Sequence, residues 1–393
     1  MVTAVRRGVS FRTVAHRFRC CLRTVQIWVA RAQGRRLDRV DWVDHPPGRR
    51  TAINRMPPDV EARVLALRHE LQQDDILGEY GAAAVRQALL ASGAEAVPAL
   101  RTIGRILKRH GALDHRRRIR RPPPPPGWHL PAVAAHHAEL DSFDVIEDLK
   151  LADGPLVDVL SGVALHGGLP AAWPLVPAST NHILPCLVAH WRTHGLPAYA
   201  QFDNDTRFQG AHQHPDVFGR VTRLCLQLGV TPVFVPPREF GLQNAIEAFN
   251  GLYQAKVWRR FHFAAPAALM THTRRYLAAR IQRLAARLST APARRPWPAR
   301  WHWQPALLPS GCVIYIRRTN DRGEITLLGH TWLLDPAWCH RLVRAEVDLA
   351  AAQIRCFALR RSAPSEQPLL RVLPYAYPRG DLQRRIPNAD TCQ

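Results

Sequence analysis

Five consecutive prolines at 122–126, in the stretch HRRRIRRPPPPPGW (115–128), restrict the fold of this chain more than any other feature. Proline lacks a backbone N–H and has a fixed φ, so neither a helix interior nor a central strand runs through such a stretch. It forms a stiff, extended polyproline segment instead. The sequence therefore predicts a domain boundary, with a basic polyproline linker over 115–130.

The charge of the chain is the second constraint. Lys and Arg total 54 against 31 Asp and Glu, giving a formal net charge of +23. A surface this basic attracts polyanions, and counterion release along a phosphate backbone supplies much of the binding free energy. The composition therefore favours a nucleic-acid partner.

Other classes of protein are disfavoured by composition. The chain is 47% hydrophobic, enough for packed cores, and it has no uncharged apolar run long enough for a transmembrane helix or secretory signal. Its eight cysteines include no C-x-x-C pair, so neither a zinc ribbon nor a disulfide framework is expected. We expect a cytoplasmic protein, associated with the bacterial nucleoid and not with a membrane.

Residues 1–45 have the pattern of a helix-turn-helix unit. Ser10 is positioned to cap a first helix, and a second helix after a short turn places Val25, Trp28 and Val29 inward. The second helix of such a unit enters the DNA major groove. Its outward side chains are candidate DNA contacts: Arg23, Thr24, Gln26 and Arg31.

Residues 55–114 predict a second helical unit, of winged-helix or helix-turn-helix type. Its last helix, in VPALRTIGRILKRHGALD, has Leu100, Ile103, Ile106 and Leu107 on one side, and Gly111 ends it. The opposite side supplies a second set of candidate DNA contacts: Arg101, Arg105, Lys108 and Arg109.

The remainder of the chain predicts two further domains. Residues 131–290 read as three antiparallel strands followed by alternating helices and strands, which is typical of a mixed α/β sheet. Residues 305–376 have strand-like alternation and predict a small β-barrel of SH3-like size. The overall expectation is a multidomain α/β protein with all-α units at its N-terminus.

Three acids lie at strand or helix ends within 131–290. Asp141 begins the first strand, Asp203 ends a later strand in FDNDTRFQG, and Glu247 lies in the helix QNAIEAFNG. Phosphodiester transfer needs an activated oxygen nucleophile and a stabilised leaving oxygen, and two Mg²⁺ or Mn²⁺ ions held by a few carboxylates supply both. The three acids are therefore candidate metal ligands.

This order of elements and acids resembles the integrase catalytic core of insertion-sequence transposases. The resemblance implies an RNase H-like fold and a DDE triad at Asp141, Asp203 and Glu247, binding two Mg²⁺ or Mn²⁺ ions. Asp144, three residues after Asp141, is the local competitor for the first acid. Two asparagines, Asn204 and Asn244, stand at positions beside the acids.

Asp205 departs from the family pattern, because glycine is usual in this turn. We interpret Asp205 as a turn-capping acid and not as a second metal ligand.

The resemblance predicts a DNA transposase or integrase that binds element ends and catalyses hydrolysis and strand transfer. Its partners would be the element ends and target DNA, and joining two ends implies at least a dimer on DNA. One alternative is a catalytically inactive remnant that binds DNA as a repressor. Another is an RNase H-like nuclease without strand transfer.

Overall fold

A computed structural model describes residues 1–43, 56–94, 96–113, 125–152, 154–210, 217–236, 239, 241–305 and 307–378. Residues 115–124, most of the predicted linker over 115–130, lie outside this part. The chain forms two compact units, residues 1–61 and 62–393. No helix in the described ranges is both long and apolar enough to cross a bilayer.

The first unit contains three short helices, α1 (Val2–Arg6), α2 (Phe11–Arg17) and α3 (Leu22–Ala32), and a 3-10 turn at Leu37–Arg39. The Ser10 side chain accepts a hydrogen bond from the Thr13 N–H at 3.2 Å, which confirms the predicted cap of α2. Val14, Ala15 and Val25 are buried where α2 packs on α3. Two helices joined by a short turn thus occur where the sequence predicts them.

Three more helices follow along the chain: α4 (Pro58–Asp74), α5 (Ala82–Ala91) and α6 (Leu100–Arg109). Helix α4 begins in the last residues of the first unit, and α5 and α6 belong to the second. Ile103, Ile106 and Leu107 of α6 are fully buried, as predicted. Leu100, which we expected inward, is 51% exposed at the first turn of the helix. The chain leaves α6 at Gly111, whose φ of +65° suits glycine best.

A mixed sheet follows the short helix α7 (Pro131–Ala134). Its first strands are β1 (Leu140–Lys150), β2 (Leu156–Ala164) and β3 (Pro170–Leu175), and then come α8 (Thr180–His194) and β4 (Tyr199–Phe202). They are followed by α9 (Thr206–Gln209), α10 (Arg220–Gln227), β5 (Thr231–Phe234) and α11 (Asn244–Tyr253).

The strands of this sheet lie in the order β3-β2-β1-β4-β5. The first three pair antiparallel, whereas β4 pairs parallel with β1 and β5 parallel with β4. This arrangement is the mixed α/β sheet that the sequence predicts.

Helices cover both faces of the sheet because successive strand residues point to opposite faces. Leu160 of β2 packs in a core with α8 and α10, whereas its neighbour Val159 packs in a second core with α11. A π-helical turn (Gln254–Trp258) continues α11, and α12 (Pro266–Arg283) and α13 (Ala285–Leu288) follow.

The C-terminal strands differ from the prediction. They are β6 (Cys312–Arg318), β7 (Glu324–Leu327), β8 (His330–Leu333), β9 (Leu342–Asp348), β10 (Gln353–Leu359) and β11 (Leu369–Pro374). Strand β6 pairs parallel with β5 through Val233–Ile314 and Phe234–Tyr315, so β6, β9, β10 and β11 extend the central sheet to nine strands. The structure therefore does not confirm a separate barrel over 305–376.

Candidate active site

The pairing of β1 with β4 brings two carboxylates together. The parallel register aligns Asp141 with Ala200 and Ser142 with Gln201. Two residues further along each strand, this register leads to Asp144 on β1 and to Asp203, directly after β4. Because residues two apart share a face, both side chains lie on the face of Ser142 and Gln201.

Asp144 is held by the strand and by α11. Its Oδ1 accepts the Val145 N–H at 2.9 Å, and its Oδ2 accepts the Asn250 side-chain amide at 2.8 Å. Burial raises the pKa of Asp144, and the nearby negative charge of Glu247 adds to the increase. The carboxylate is thus partly desolvated close to other acids.

Asp203 has the more strongly shifted carboxyl group. Its Oδ1 accepts the Asp205 N–H at 3.1 Å. Burial raises the pKa of Asp203 to about 6, and the charges of Asp144 and Asp205 contribute to the shift. The negative charge of Asp144 acts on Asp203 and that of Glu247 acts on Asp144, so a cation bound among these acids would relieve their repulsion.

Helix α11 places the third acid near this pair. Glu247 is exposed, and Asn250 lies one helical turn later on the same side of α11. Asn250 contacts Asp144 directly, whereas Glu247 interacts with it through its charge. Asn244 is the exposed first residue of the helix.

Asp141 does not join these acids. It lies three residues before Asp144, so its side chain points to the opposite face of the sheet. Its Oδ1 and Oδ2 accept hydrogen bonds from Arg294 at 2.8 and 2.6 Å, and Oδ2 also accepts the Trp191 indole N–H at 3.1 Å. Asp141 is 1% exposed, so the structure does not support it as a metal ligand.

The pKa of Asp141 is consistent with this pairing. Burial alone would raise the pKa, but the Arg294 guanidinium beside the carboxylate brings it below the usual value. His190, whose Nε2 lies 3.8 Å from Oδ2, is itself buried, and that burial lowers its pKa to about 4. Asp141 is therefore a charged group inside a core, neutralised by Arg294.

Asp205 has the capping role that its sequence context suggests. It is the N-cap of α9, where its Oδ1 accepts the Arg207 N–H at 2.7 Å. The Arg207 guanidinium bonds back to Asp205 at 2.5 and 2.9 Å and reaches Glu147 at 2.5 Å. The prediction of a turn-capping acid is confirmed.

The predicted turn residue Asn204 has a different neighbour. Its Oδ1 lies 3.4 Å from Nη1 of Arg317 on β6. The turn that carries Asp203 therefore also contacts the C-terminal part of the sheet.

The donor set suits a hard divalent cation, although the described residues contain no group of three His, Cys, Asp or Glu side chains close enough to hold a metal ion. Asp144, Asp203 and Glu247 offer the carboxylate oxygens that Mg²⁺ and Mn²⁺ prefer. In addition, Oδ1 of Asn250 is buried without a hydrogen-bond partner. The donor types therefore suit a metal, and the charges of Asp144 and Asp203 interact in the folded chain.

The candidate DNA contacts fall into two groups. Arg23 and Gln26 on α3 are exposed, as are the four basic residues of α6: Arg101, Arg105, Lys108 and Arg109. Two other α3 candidates have partners within the unit. Oγ1 of Thr24 lies 3.1 Å from the Cys21 sulfur, and Arg31 stacks 4.5 Å above Trp28 while donating to the Val43 carbonyl.

Three residues of the site were missed by reasoning from the sequence alone. Asn250 lies three residues after Glu247, a spacing that places both on one side of a helix and was readable in advance. Arg207 and Arg294 had no comparable signal. Arg294 lies 153 positions after Asp141 in a region that reads as a proline-rich connection.

Comparison with known proteins gives matches among solved structures alone. No family model matches the sequence, and no curated protein matches it. The catalytic core domain of BIV integrase is 16% identical, with a TM-score of 0.27, over 36% of this chain and 81% of that one.

Two further matches are viral proteins. A simian T-cell lymphotropic virus intasome, in complex with a PP2A regulatory subunit, is 14% identical, with a TM-score of 0.33, over 74% of this chain and 92% of that one. The HTLV-2 integrase catalytic core domain in complex with magnesium is 13% identical, with a TM-score of 0.21, over 29% and 82%.

Proposed function

We propose that this protein is a metal-dependent polynucleotidyl transferase that acts on DNA, of the DDE transposase and integrase type. The observation that carries the proposal is the placement of Asp144 on β1 and of Asp203 directly after β4, the neighbouring parallel strand, near Glu247 on α11. Asp144 replaces Asp141 as the first acid in this assignment. The proposed reaction is hydrolysis at element ends followed by strand transfer.

Asp144, Asp203 and Glu247 would hold Mg²⁺ or Mn²⁺, which activates the nucleophilic oxygen and stabilises the leaving oxygen in phosphoryl transfer. The protein's own contribution is to position these carboxylates. The Asn250 amide fixes the orientation of Asp144, and the Asp205 N–H fixes that of Asp203. Burial keeps bulk water from screening the pair.

Charge supports DNA as the substrate. The net charge of +23 and the exposed basic side chains of α3 and α6 favour a polyanion. We propose that these helices bind element ends and that the protein acts as a dimer or larger assembly on DNA. The first statement rests on the sequence pattern and on the exposure of these side chains, and the second on the need to join two DNA ends.

Nicking of supercoiled plasmid DNA in Mg²⁺ or Mn²⁺ tests the proposed chemistry. We expect wild type to nick and both Asp144→Asn and Glu247→Gln to lose at least about 100-fold in rate, because each removes a carboxylate from the metal site. Asp148→Asn is the matched control, since Asp148 is an exposed acid on the same strand. It should retain the wild-type rate.

Three outcomes separate the alternatives. Nicking that survives in Asp144→Asn contradicts the assignment of the first acid. DNA binding without nicking by the wild type favours an inactive remnant that acts as a repressor. Nicking without joining of a labelled 3′-hydroxyl end to plasmid favours a nuclease without strand transfer.

A further inference from the structure

Helix α3 presents a mixed polar and apolar face to solvent. Val25 and Ala32 are fully buried, so the opposite side of the helix is turned outward. That side carries five exposed residues: Leu22, Arg23, Gln26, Ile27 and Ala30. Ile27 is 44% exposed and Leu22 is 38% exposed, so this side of the helix presents large apolar side chains beside Arg23 and Gln26.

The residues of this face differ from those that the sequence suggests. Thr24 contacts the Cys21 sulfur within the unit. Arg31 stacks on Trp28 and donates a hydrogen bond to the Val43 carbonyl. Ile27 takes their place on the outward side, one turn after Arg23 and next to Gln26. An apolar side chain is thus part of the surface that a partner would meet.

Charge identifies the class of partner. Residues 1–43 contain ten arginines and two acids, Asp38 and Asp41, both of which follow α3 in the chain. Such a surface complements a polyanion and repels a second copy of itself. Duplex DNA meets this requirement, since its major groove admits an α-helix.

The side chains match base edges in the major groove. Arginine binds guanine, glutamine binds adenine, and an apolar side chain contacts the 5-methyl group of thymine. From Arg23 to Ala30 the helix rises about 10 Å, at about 1.5 Å per residue, which spans roughly three base pairs. The face is therefore large enough to read a short run of bases.

We propose that Ile27 reads the 5-methyl group of a thymine in the major groove, beside bases contacted by Arg23 and Gln26. This inference rests on the proposed function only in taking DNA as the substrate. It assigns sequence specificity to a residue that carries no charge and no hydrogen-bonding group.

Selection of binding sites from random duplexes, with the full-length protein and no divalent metal, provides the DNA for the test. Each thymine of the selected site is then replaced by deoxyuridine, which lacks only the methyl group. We expect one replacement to weaken wild-type binding about fourfold, the effect of one buried methyl group. Ile27→Ala should weaken binding to the thymine site and be insensitive to that replacement.

Val43→Ala is the matched control, because Val43 is 66% exposed and lies outside α3. It should bind like wild type and keep the sensitivity to deoxyuridine. Ile27 is exposed, so Ile27→Ala should also keep the wild-type circular dichroism spectrum.

Four results would overturn the proposal. In the first, no deoxyuridine replacement changes wild-type binding, and in the second, binding by Ile27→Ala still responds to the replacement. In the third, the selection enriches no sequence. In the fourth, Ile27→Ala changes the sedimentation coefficient of the protein while its binding still responds to deoxyuridine. The last would make the face a protein interface. If the protein binds as proposed but never nicks DNA, the proposed catalysis is contradicted and the role of Ile27 is not.

Discussion

Asp141 and Arg294 form an ion pair inside the protein. Its contribution to stability depends on the burial of these two side chains. The Asp141 side chain is 1% exposed and that of Arg294 is 15% exposed. Arg294 also donates to the Gly195 carbonyl, so the pair joins β1, the end of α8 and the segment after α13. Removing one partner would leave a buried charge without compensation, which costs about 3–5 kcal/mol.

Asp141→Asn should therefore lower the free energy of unfolding at pH 7 by about 3 kcal/mol or more. The folded-state pKa of Asp141 is depressed, so its contribution is present above the unfolded pKa of about 4 and is lost as pH falls through the folded value. Urea unfolding between pH 7 and pH 3 should show a steeper loss in wild type than in Asp141→Asn. Parallel pH profiles would contradict the pairing.

The sequence could locate both Asp141 and Asp144 but could not choose between them. Leu140 to Phe143 are all buried, so the first half of β1 has no alternation of polar and apolar residues to show which face is which. The deciding partners of Asp141 are distant in sequence, Trp191 by 50 positions and Arg294 by 153. Only the folded sheet separates the two aspartates.

Helix α9 shows how one short element supports the site. Asp205 caps its N-terminus, and the resulting geometry directs Arg207 toward Asp205 and Glu147. The Arg207 charge acts to lower the pKa of both Asp144 and Asp203, opposing the effect of burial. This role was partly predictable, because aspartate is a favoured capping residue and needs only local sequence to be recognised.

Asp205→Gly should leave DNA nicking within a few-fold of wild type, because glycine is tolerated at N-caps and at turns. Asp205→Ala should lower the free energy of unfolding by about 1 kcal/mol through loss of the cap, and Asp205→Asn, which can still cap, should not. Thermal unfolding and the plasmid assay measure these effects. A loss of nicking in Asp205→Gly as complete as in Asp203→Ala would make Asp205 a metal ligand.

At the scale of the whole second unit, the nine-stranded sheet joins regions that the sequence reads as separate. The Tyr315 ring stacks on Phe234 with centroids 5.3 Å apart across the β5–β6 junction. Arg344 and Gln367 donate to the carbonyls of His129 and Trp128, which lie three and two residues after the last proline of the run. Each strand can be predicted from the local alternation of its residues. The pairing of strands that are distant in sequence leaves no local pattern, so their membership of one sheet could not be predicted.

Removal of the C-terminal strands should therefore destabilise the core. A fragment of residues 125–304 would expose the edge of β5 and the apolar surface that β6 covers. We expect it to bind a hydrophobic dye and to lose cooperative unfolding, whereas a fragment of residues 125–378 should unfold in one transition. Similar melting temperatures for both fragments would show that the 305–376 region is an independent domain after all.

Calorimetric titration of Mn²⁺ into the metal-free protein tests Asp144 and Asp203 as metal ligands, because it measures the site without requiring a cognate DNA sequence. We expect wild type and Asp148→Asn to bind Mn²⁺, and Asp144→Asn and Asp203→Asn to bind it at least tenfold more weakly. Asp141→Asn, titrated at a temperature where circular dichroism shows it folded, should bind like wild type. Wild-type affinity in Asp144→Asn together with lost affinity in Asp141→Asn would show that Asp141, and not Asp144, binds the metal.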